Sequence, residues 1–323
     1  MTVLVTGVAG FIGFHTASLL LKKNIKVIGI DCINNYYDIK LKKERLKNLI
    51  SQNKKKFKFY KVDIKNKKTL NKIFKRYKCK YVVHLAAQAG VRFSLNNPDN
   101  YHNSNTTGFY NILKLSNNYR VKHLIFSSSS SVYGEQNKYP TYESSSTDKP
   151  ESFYASTKIA GEAYAHALSK IYKLKITNLR FFTVYGPFGR PDMALFKLAE
   201  CAYNKKVFYL NNRGNHKRDF TYIDDVVSVI KNVLTKPIFK KEKYQVYNIC
   251  SSKPRKLLDL VKLVEKYTEK KIKIKNTSKQ KGDVNITYGS NKKLKKDYMK
   301  KKFVPLEIGV RNFVYWFKNF YDF

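Results

Sequence analysis

The chain has 323 residues, 43% of them hydrophobic, enough for a large core in one domain or two interleaved ones. Its formal charge is +41, yet only 10 of the 64 cationic residues are arginines and the lysines are spread along the whole chain, which argues against a nucleic-acid surface built on arginine forks. Cys32, Cys79, Cys201 and Cys250 lie far apart with no C-x-x-C pair or His cluster, a pattern that argues against a metal site and a disulfide framework and predicts free thiols in the cytoplasm. No apolar run reaches the roughly 18 residues of a membrane insertion, and the N-terminus enters a strand pattern with no basic leader ahead of it.

Thr2 to Thr6 is a short β-branched apolar run that predicts a buried strand. Gly7-Val8-Ala9-Gly10-Phe11-Ile12-Gly13 follows, then a helical stripe through Ala17, Leu20 and Leu21. Strand, glycine-rich turn and helix form a cradle for a pyrophosphate: the first glycine makes the turn, the second admits backbone N–H groups to the phosphates, and the third lets the helix pack against the strand. A second run, Lys26 to Ile30, ends in Asp31, placed to accept from an adenosine ribose hydroxyl and to repel a 2′-phosphate, so NAD is favoured over NADP. Asn34 to Asp38 predicts a loop, and the charged segment to Lys56 an exposed helix. Strands are expected at Lys58 to Val62, ending in Asp63-Ile64, and at Tyr81 to Leu85, ending in Ala86-Ala87-Gln88. Their spacing, with helical patterns between, predicts an α/β fold with a doubly wound parallel sheet.

Pro98 to Ser116 reads as a helix with Asn105 near its middle, a position that is often merely solvated. A fifth strand, Lys122 to Phe126, leads into Ser127-Ser128-Ser129-Ser130-Ser131-Val132-Tyr133-Gly134, which delivers hydroxyls to the end of the sheet. Tyr154-Ala155-Ser156-Thr157-Lys158 opens a further helix, and its i, i+4 spacing puts a phenol and an ammonium on one face. A tyrosine of ordinary pKa near 10 is a poor base at neutral pH, and an adjacent lysine favours its phenolate. Strands are also predicted at Lys175 to Phe182 and Gln245 to Ile249; between them the glycines and prolines of Thr183 to Asp192 mark departure into a second lobe. The C-terminal part holds an amphipathic helix over Leu257 to Tyr267, a basic strand and an aromatic tail. The expected division is residues 1–180 plus about 220–252 for cofactor binding, and about 181–219 plus 253–323 for the smaller lobe.

The glycine motif, the serine run before Val-Tyr-Gly, Tyr154-x-x-x-Lys158 and Arg218-Asp219-Phe220-Thr221-Tyr222 together resemble the extended short-chain dehydrogenase/reductase family, specifically its nucleotide-sugar epimerases. Asn34-Asn35-Tyr36-Tyr37-Asp38, Ala87 to Arg92, Arg180 to Pro187 and Arg190-Pro191-Asp192-Met193-Ala194 are similar to the motifs of UDP-glucuronate 4-epimerases. The resemblance implies a Rossmann domain and a smaller C-terminal lobe. It implies that Tyr154 is acid and base, that Lys158 tunes it, and that the Ser129 and Ser131 hydroxyls assist. It implies an NAD site at Gly7, Gly10, Phe11, Ile12, Gly13, Asp31, Asn34, Asp63, Ile64, Leu85, Ala86, Ala87, Gln88, Asn105, Ser127 and Phe181, together with Tyr154 and Lys158. For the UDP-sugar it implies Arg92, Ser129, Ser131, Thr183, Arg190, Met193, Arg218 and Asp283, and it implies a homodimer.

A UDP-glucose or UDP-N-acetylhexosamine 4-epimerase is the alternative activity; a decarboxylase and a non-catalytic NAD-binding protein are others. A 4-keto glucuronate is a β-keto acid prone to lose CO₂, so its carboxylate must be held out of alignment, a task suited to Arg190 with the Thr183 hydroxyl. Related 4,6-dehydratases carry Asp-Glu, and decarboxylases a Glu, where this chain has Ser130 and Ser131. The second proton-transfer pair is missing, which disfavours both chemistries.

Overall fold

The structure, a computed structural model, describes residues 1–239 and 242–323. Its first half alternates strand and helix: β1 Thr2–Thr6, α1 Phe11–Lys22, β2 Lys26–Asp31, α2 Ile39–Gln52, β3 Phe57–Lys61, α3 Lys67–Tyr77 and β4 Tyr81–His84. Short helices α4 Phe93–Asn96 and α5 Pro98–Tyr101 precede α6 Gly108–Asn118, followed by β5 His123–Ser129, α7 Phe153–Ile171 and β6 Lys175–Phe181. The remainder comprises β7 Thr183–Tyr185, α8 Ala194–Tyr203, β8 Val207–Asn211, β9 Lys217–Tyr222, α9 Ile223–Thr235, β10 Tyr244–Ile249, β11 Pro254–Lys256, α10 Leu257–Thr268, β12 Lys273–Thr277, α11 Lys292–Asp297 and α12 Leu306–Phe320.

Seven strands pair in the order β10-β6-β5-β4-β1-β2-β3, every pair parallel. Both faces are covered, so the central strands β1, β2 and β4 read as continuous apolar runs. Val3 and Val5 of β1 join a core with Leu20 of α1 and Val226 of α9, whereas Leu4 joins Phe74 of α3 and Phe109 of α6 on the opposite face. Burying each such side chain contributes about 1.5–3 kcal/mol. The chain runs outward from β1 through β2 to β3, then restarts on the other side of β1 with β4. That reversal opens a crevice beyond the C-terminal ends of β1 and β4. Two small sheets, β11-β9-β7 and β12-β8, are built from strands of the second half of the chain.

Three local expectations are corrected. The helix before β3 is not simply exposed: α2 turns Leu41, Lys42, Arg45, Leu46 and Leu49 inward. The stretch from Pro98 is not one regular helix, because a π-helical turn over His102–Thr107 separates α5 from α6, and it buries Asn105 rather than leaving it to solvent. Finally, β5 continues through Ser129, three residues beyond the expected end at Phe126, so Ser127, Ser128 and Ser129 are buried strand residues.

Candidate active site

Two glycine-loop positions are set by sterics. Gly7 has φ +72°, and a Cβ there would lie 2.7 Å from the Ala86 nitrogen; one on Gly13 would lie 2.0 Å from the Gly7 carbonyl oxygen. Gly10 donates to that same carbonyl at 3.0 Å, and its side-chain-free N-cap leaves the first amides of α1 without a capping partner. Ala9, between them, donates its N–H to Asp31 Oδ2 at 3.0 Å, while Asp31 Oδ1 accepts from Ile33 at 2.8 Å. Burial pushes the Asp31 carboxyl up, and these two amides together with the Lys42 charge pull it back.

One cleft of about 580 Å³ runs along this edge. It is lined by Gly7, Gly10, Phe11, Ile12, Gly13, Asp31, Asn34, Asp63, Ile64, Leu85, Ala86, Ala87, Gln88, Ser127, Ser129, Tyr154, Lys158, Phe181, Arg190 and Met193. A cavity of this size holds an extended organic ligand. The anion-ready helix end, the close backbone and the Asp31 acceptor fit a dinucleotide. Asn105 is different: it stands behind the wall, accepting from the Gln88 N–H at 2.8 Å and donating to the Gln88 carbonyl and to Thr157 Oγ1, both at 3.0 Å. Its amide fixes the backbone on which the wall is built and ties it to α7.

At the far end of the cleft α7 places Tyr154 and Lys158 one turn apart. Ser152 caps this helix by accepting from the Ala155 N–H at 3.2 Å, and Tyr154 is held from below by its own N–H donating to Ser94 Oγ at 3.1 Å. Lys158 Nζ donates to the Ser127 carbonyl at 2.7 Å and lies 5.9 Å from the Tyr154 ring centroid. Burial lowers Lys158 to about 7, with Glu162 opposing. Burial also raises Tyr154, while Ser129 and Arg190 draw it down. This departs from the expectation of a lowered phenol, because desolvation outweighs the Ser129 hydrogen bond and the Arg190 charge. Ser129 Oγ donates to Ser131 Oγ at 3.1 Å and accepts from the Ser131 N–H at 3.1 Å, so Ser131 supports Ser129 and does not itself line the cleft.

Four other expected residues also fall outside the cleft lining. Thr183 begins β7 beside it. Arg92 and Asp283 pair with each other at 2.9 Å, and Arg218, whose Nη1 donates to the Lys217 and Asn285 carbonyls at 3.0 and 3.2 Å, feels both charges. They form a second polar group, composed of segments far apart in sequence.

The structure also supplies residues that sequence reasoning missed. Arg45, fully buried, donates through Nη1 to the Ala9 carbonyl at 2.8 Å and to the Tyr37 hydroxyl at 2.7 Å, and through Nη2 to the Phe188 carbonyl at 2.7 Å. It joins the glycine loop to the segment carrying Arg190. A single arginine on a lysine-rich helix was the only available signal. Lys42 lines the cleft and donates to the Asn34 carbonyl and Oδ1, each at 2.6 Å.

The sequence profile described as the NAD dependent epimerase/dehydratase family matches residues 3–250. The chain belongs to this family. The family's cofactor is NAD, and the cleft described above is where this epimerase/dehydratase chain would hold it. Among relatives it is 42% identical over 335 residues to Protein CapI of Staphylococcus aureus, covering 99% of each chain. It is 39% identical over 317 residues to a UDP-glucuronate 4-epimerase of Thermodesulfobacterium geofontis, covering 98% of this chain and 96% of that one. The fold superposes with TM-score 0.91 on the crystal structure of UDP-glucuronic acid 4-epimerase from Bacillus cereus in complex with UDP-glucuronic acid and NAD, at 31% identity and covering 99% and 100% of the two chains. This family chain therefore shares its whole length, not an isolated module, with such proteins.

Proposed function

We propose that the protein is a UDP-glucuronate 4-epimerase, interconverting UDP-glucuronate and UDP-galacturonate. The observation that carries the choice of sugar is Arg190, a guanidinium in the same cleft as Tyr154 and close enough to favour its phenolate. NAD, when bound, supplies the hydride acceptor at sugar C4 and gives the hydride back, so that it is regenerated in each turnover.

The chain's residues do the rest. Tyr154 takes the proton of the 4-hydroxyl and returns it to the epimeric oxygen. Ser129 hydrogen-bonds the reacting oxygen and the phenol, and Lys158 provides a nearby positive charge that stabilises the phenolate. Arg190 holds the C6 carboxylate across the planar fork that suits it, keeping the C5–C6 bond out of line with a neighbouring carbonyl. Arg92, Arg218 and Asp283 are assigned to the nucleotide, and Thr183 to the carboxylate, by resemblance to the epimerase motifs, although none of the four lines the cleft.

The division into 1–180 plus about 220–252 for the cofactor and about 181–219 plus 253–323 for the sugar nucleotide belongs to this proposal. It is supported by β10 rejoining the seven-stranded sheet and by the separate small sheets. A homodimer through α6 and α7 is supported by exposed Tyr110 and Tyr164 on those helices. Four free cysteines support a cytoplasmic setting. Among the described residues no helix is long and apolar enough to cross a membrane.

Incubation of the purified protein with UDP-glucuronate should yield UDP-galacturonate, resolved by chromatography. No conversion, alongside turnover of UDP-glucose, would overturn the choice of sugar. Arg190→Ala is expected to cut conversion of UDP-glucuronate or to divert it to a UDP-pentose. That diversion starts from the 4-keto sugar and breaks its C5–C6 bond, whose electron pair forms the enolate at C4 and C5; CO₂ leaves, C5 takes up a proton, and return of the hydride to C4 with a proton on its oxygen would complete the pentose.

A further inference from the structure

Arg190 does not present an empty fork. Its Nε donates to Asp192 Oδ1 at 3.0 Å and its Nη2 to Asp192 Oδ2 at 2.5 Å, a side-on bidentate pair that occupies one edge of the guanidinium. Asp192 is itself gripped by the loop between β2 and α2, where the Tyr36 hydroxyl donates to Oδ2 at 3.1 Å. Tyr36 is fixed in turn by Phe93, with ring centroids 5.0 Å apart, and by Gly90, on which a Cβ would lie 2.3 Å from the Tyr36 oxygen. Nη1 of Arg190 makes no hydrogen bond among the described residues and is not one of the buried orphaned atoms, so its N–H groups stay accessible on a residue that lines the cleft.

We propose that Asp192, braced by Tyr36, is a specificity-determining positioning residue: it grips the Nε edge of Arg190 and thereby turns the Nη1 end toward the carboxylate of a uronate sugar. The inference rests on the uronate reading above. A free arginine loses rotamer freedom when a ligand fixes it; one already gripped has lost it beforehand, so more of the contact appears as affinity. The second carboxylate is tolerable because Asp192 is matched by Arg190, and Lys42 stands near enough to feel the charges of both Arg190 and Arg45. A sugar bearing CH₂OH at C6 offers this end of the fork only a neutral acceptor, so the device separates the two substrates by charge.

The test is calorimetric binding to the full-length protein loaded with NAD, in a Tyr154→Phe background that prevents turnover, with UDP-glucuronate, UDP-glucose and UDP as ligands. The parent is expected to favour UDP-glucuronate over UDP-glucose. Adding Asp192→Asn should weaken UDP-glucuronate about tenfold and leave UDP-glucose and UDP within about twofold. Tyr36→Phe, which removes one hydroxyl, should act in the same direction by about threefold, and it carries the test if the Asp192 variant does not fold. Equal weakening of all three ligands would mark a merely structural role and overturn the inference. So would an unchanged preference, or tighter binding of UDP-glucuronate, which would make Asp192 a competitor for the fork. A parent with no preference overturns the uronate reading and this inference with it; a parental preference that both variants keep overturns this inference alone.

Discussion

Arg180 of β6 clamps Glu162 of α7 through two parallel bonds, Nε to Oε1 at 2.9 Å and Nη2 to Oε2 at 2.6 Å, with both side chains buried. Glu162 follows Lys158 by one helical turn, and its Oε1 also accepts from Ser128 Oγ at 2.5 Å. The pair therefore fixes the catalytic helix to β6, and the Ser128 bond ties it to β5, the strand that presents the serines. Arg180 Nη1 extends the network to the Tyr133 hydroxyl at 2.9 Å, and Tyr133 donates to Asn248 of β10 at 2.6 Å.

Breaking that pair leaves a buried guanidinium without its counter-ion. Glu162→Gln is expected to lower stability by about 3–5 kcal/mol, measured by urea unfolding. Adding Arg180→Met should recover part of the loss, because the orphaned charge goes too. A double variant less stable than the single one would argue against an uncompensated charge as the cause.

Lys158 gives stability an unusual pH dependence. Burial lowers it to about 7 from an ordinary 10.5, so between those values the unfolded chain holds a proton that the folded chain has released. Stability contributed by this residue then rises with pH across that window, and below it both states are protonated and the full cost of the buried charge is felt. Lys158→Met should abolish turnover yet stabilise the ligand-free protein by about 1–3 kcal/mol near pH 6, after the unmatched Ser127 carbonyl has taken back part of the gain. Unfolding measured near pH 9.5 should show a smaller difference; the same difference at both values would exclude the mechanism.

Tyr154→Phe removes the proton acceptor and leaves the ring that packs at 6.0 Å against Tyr101. Turnover should fall about 10²–10⁴-fold while NAD and UDP-sugar still bind, read by chromatography of products and by calorimetry. Retention of full activity would defeat the assignment of Tyr154 as acid and base.

The glycine loop can be tested without the reaction. A Cβ on Gly13 would sit 2.0 Å from the Gly7 carbonyl, a backbone atom that cannot rotate away. Gly13→Ala should cost about 1–3 kcal/mol of stability and loosen NAD, measured as cofactor lost on gel filtration. A variant that keeps both would mean the loop shifts freely.

Much of this protein is carried by local pattern. The apolar runs of β1, β4 and β5, the Gly7-Gly10-Gly13 spacing and the one-turn interval between Tyr154 and Lys158 depend on neighbours within a few residues, and the chain displays them directly. The resemblance to nucleotide-sugar epimerases added the roles. What the chain does not display is which distant group completes each polar side chain. Asn105 looks solvated until a π-helical turn delivers it to Gln88; Arg45 looks like one more surface cation until it meets carbonyls at Ala9 and Phe188. Arg180 on Glu162 is likewise invisible as a pair, although Glu162 keeps the i+4 rhythm of Tyr154 and Lys158 and so offered a partial sign; Asp192 stands two residues from Arg190, and what the sequence hid there was the Tyr36 brace. Even the direction of the Tyr154 pKa was decided by burial, which spacing does not report. Helical and strand periods are short-range and survive in one dimension; desolvation and the pairing of buried charges depend on what the folded chain places around a group, and only tertiary structure specifies that.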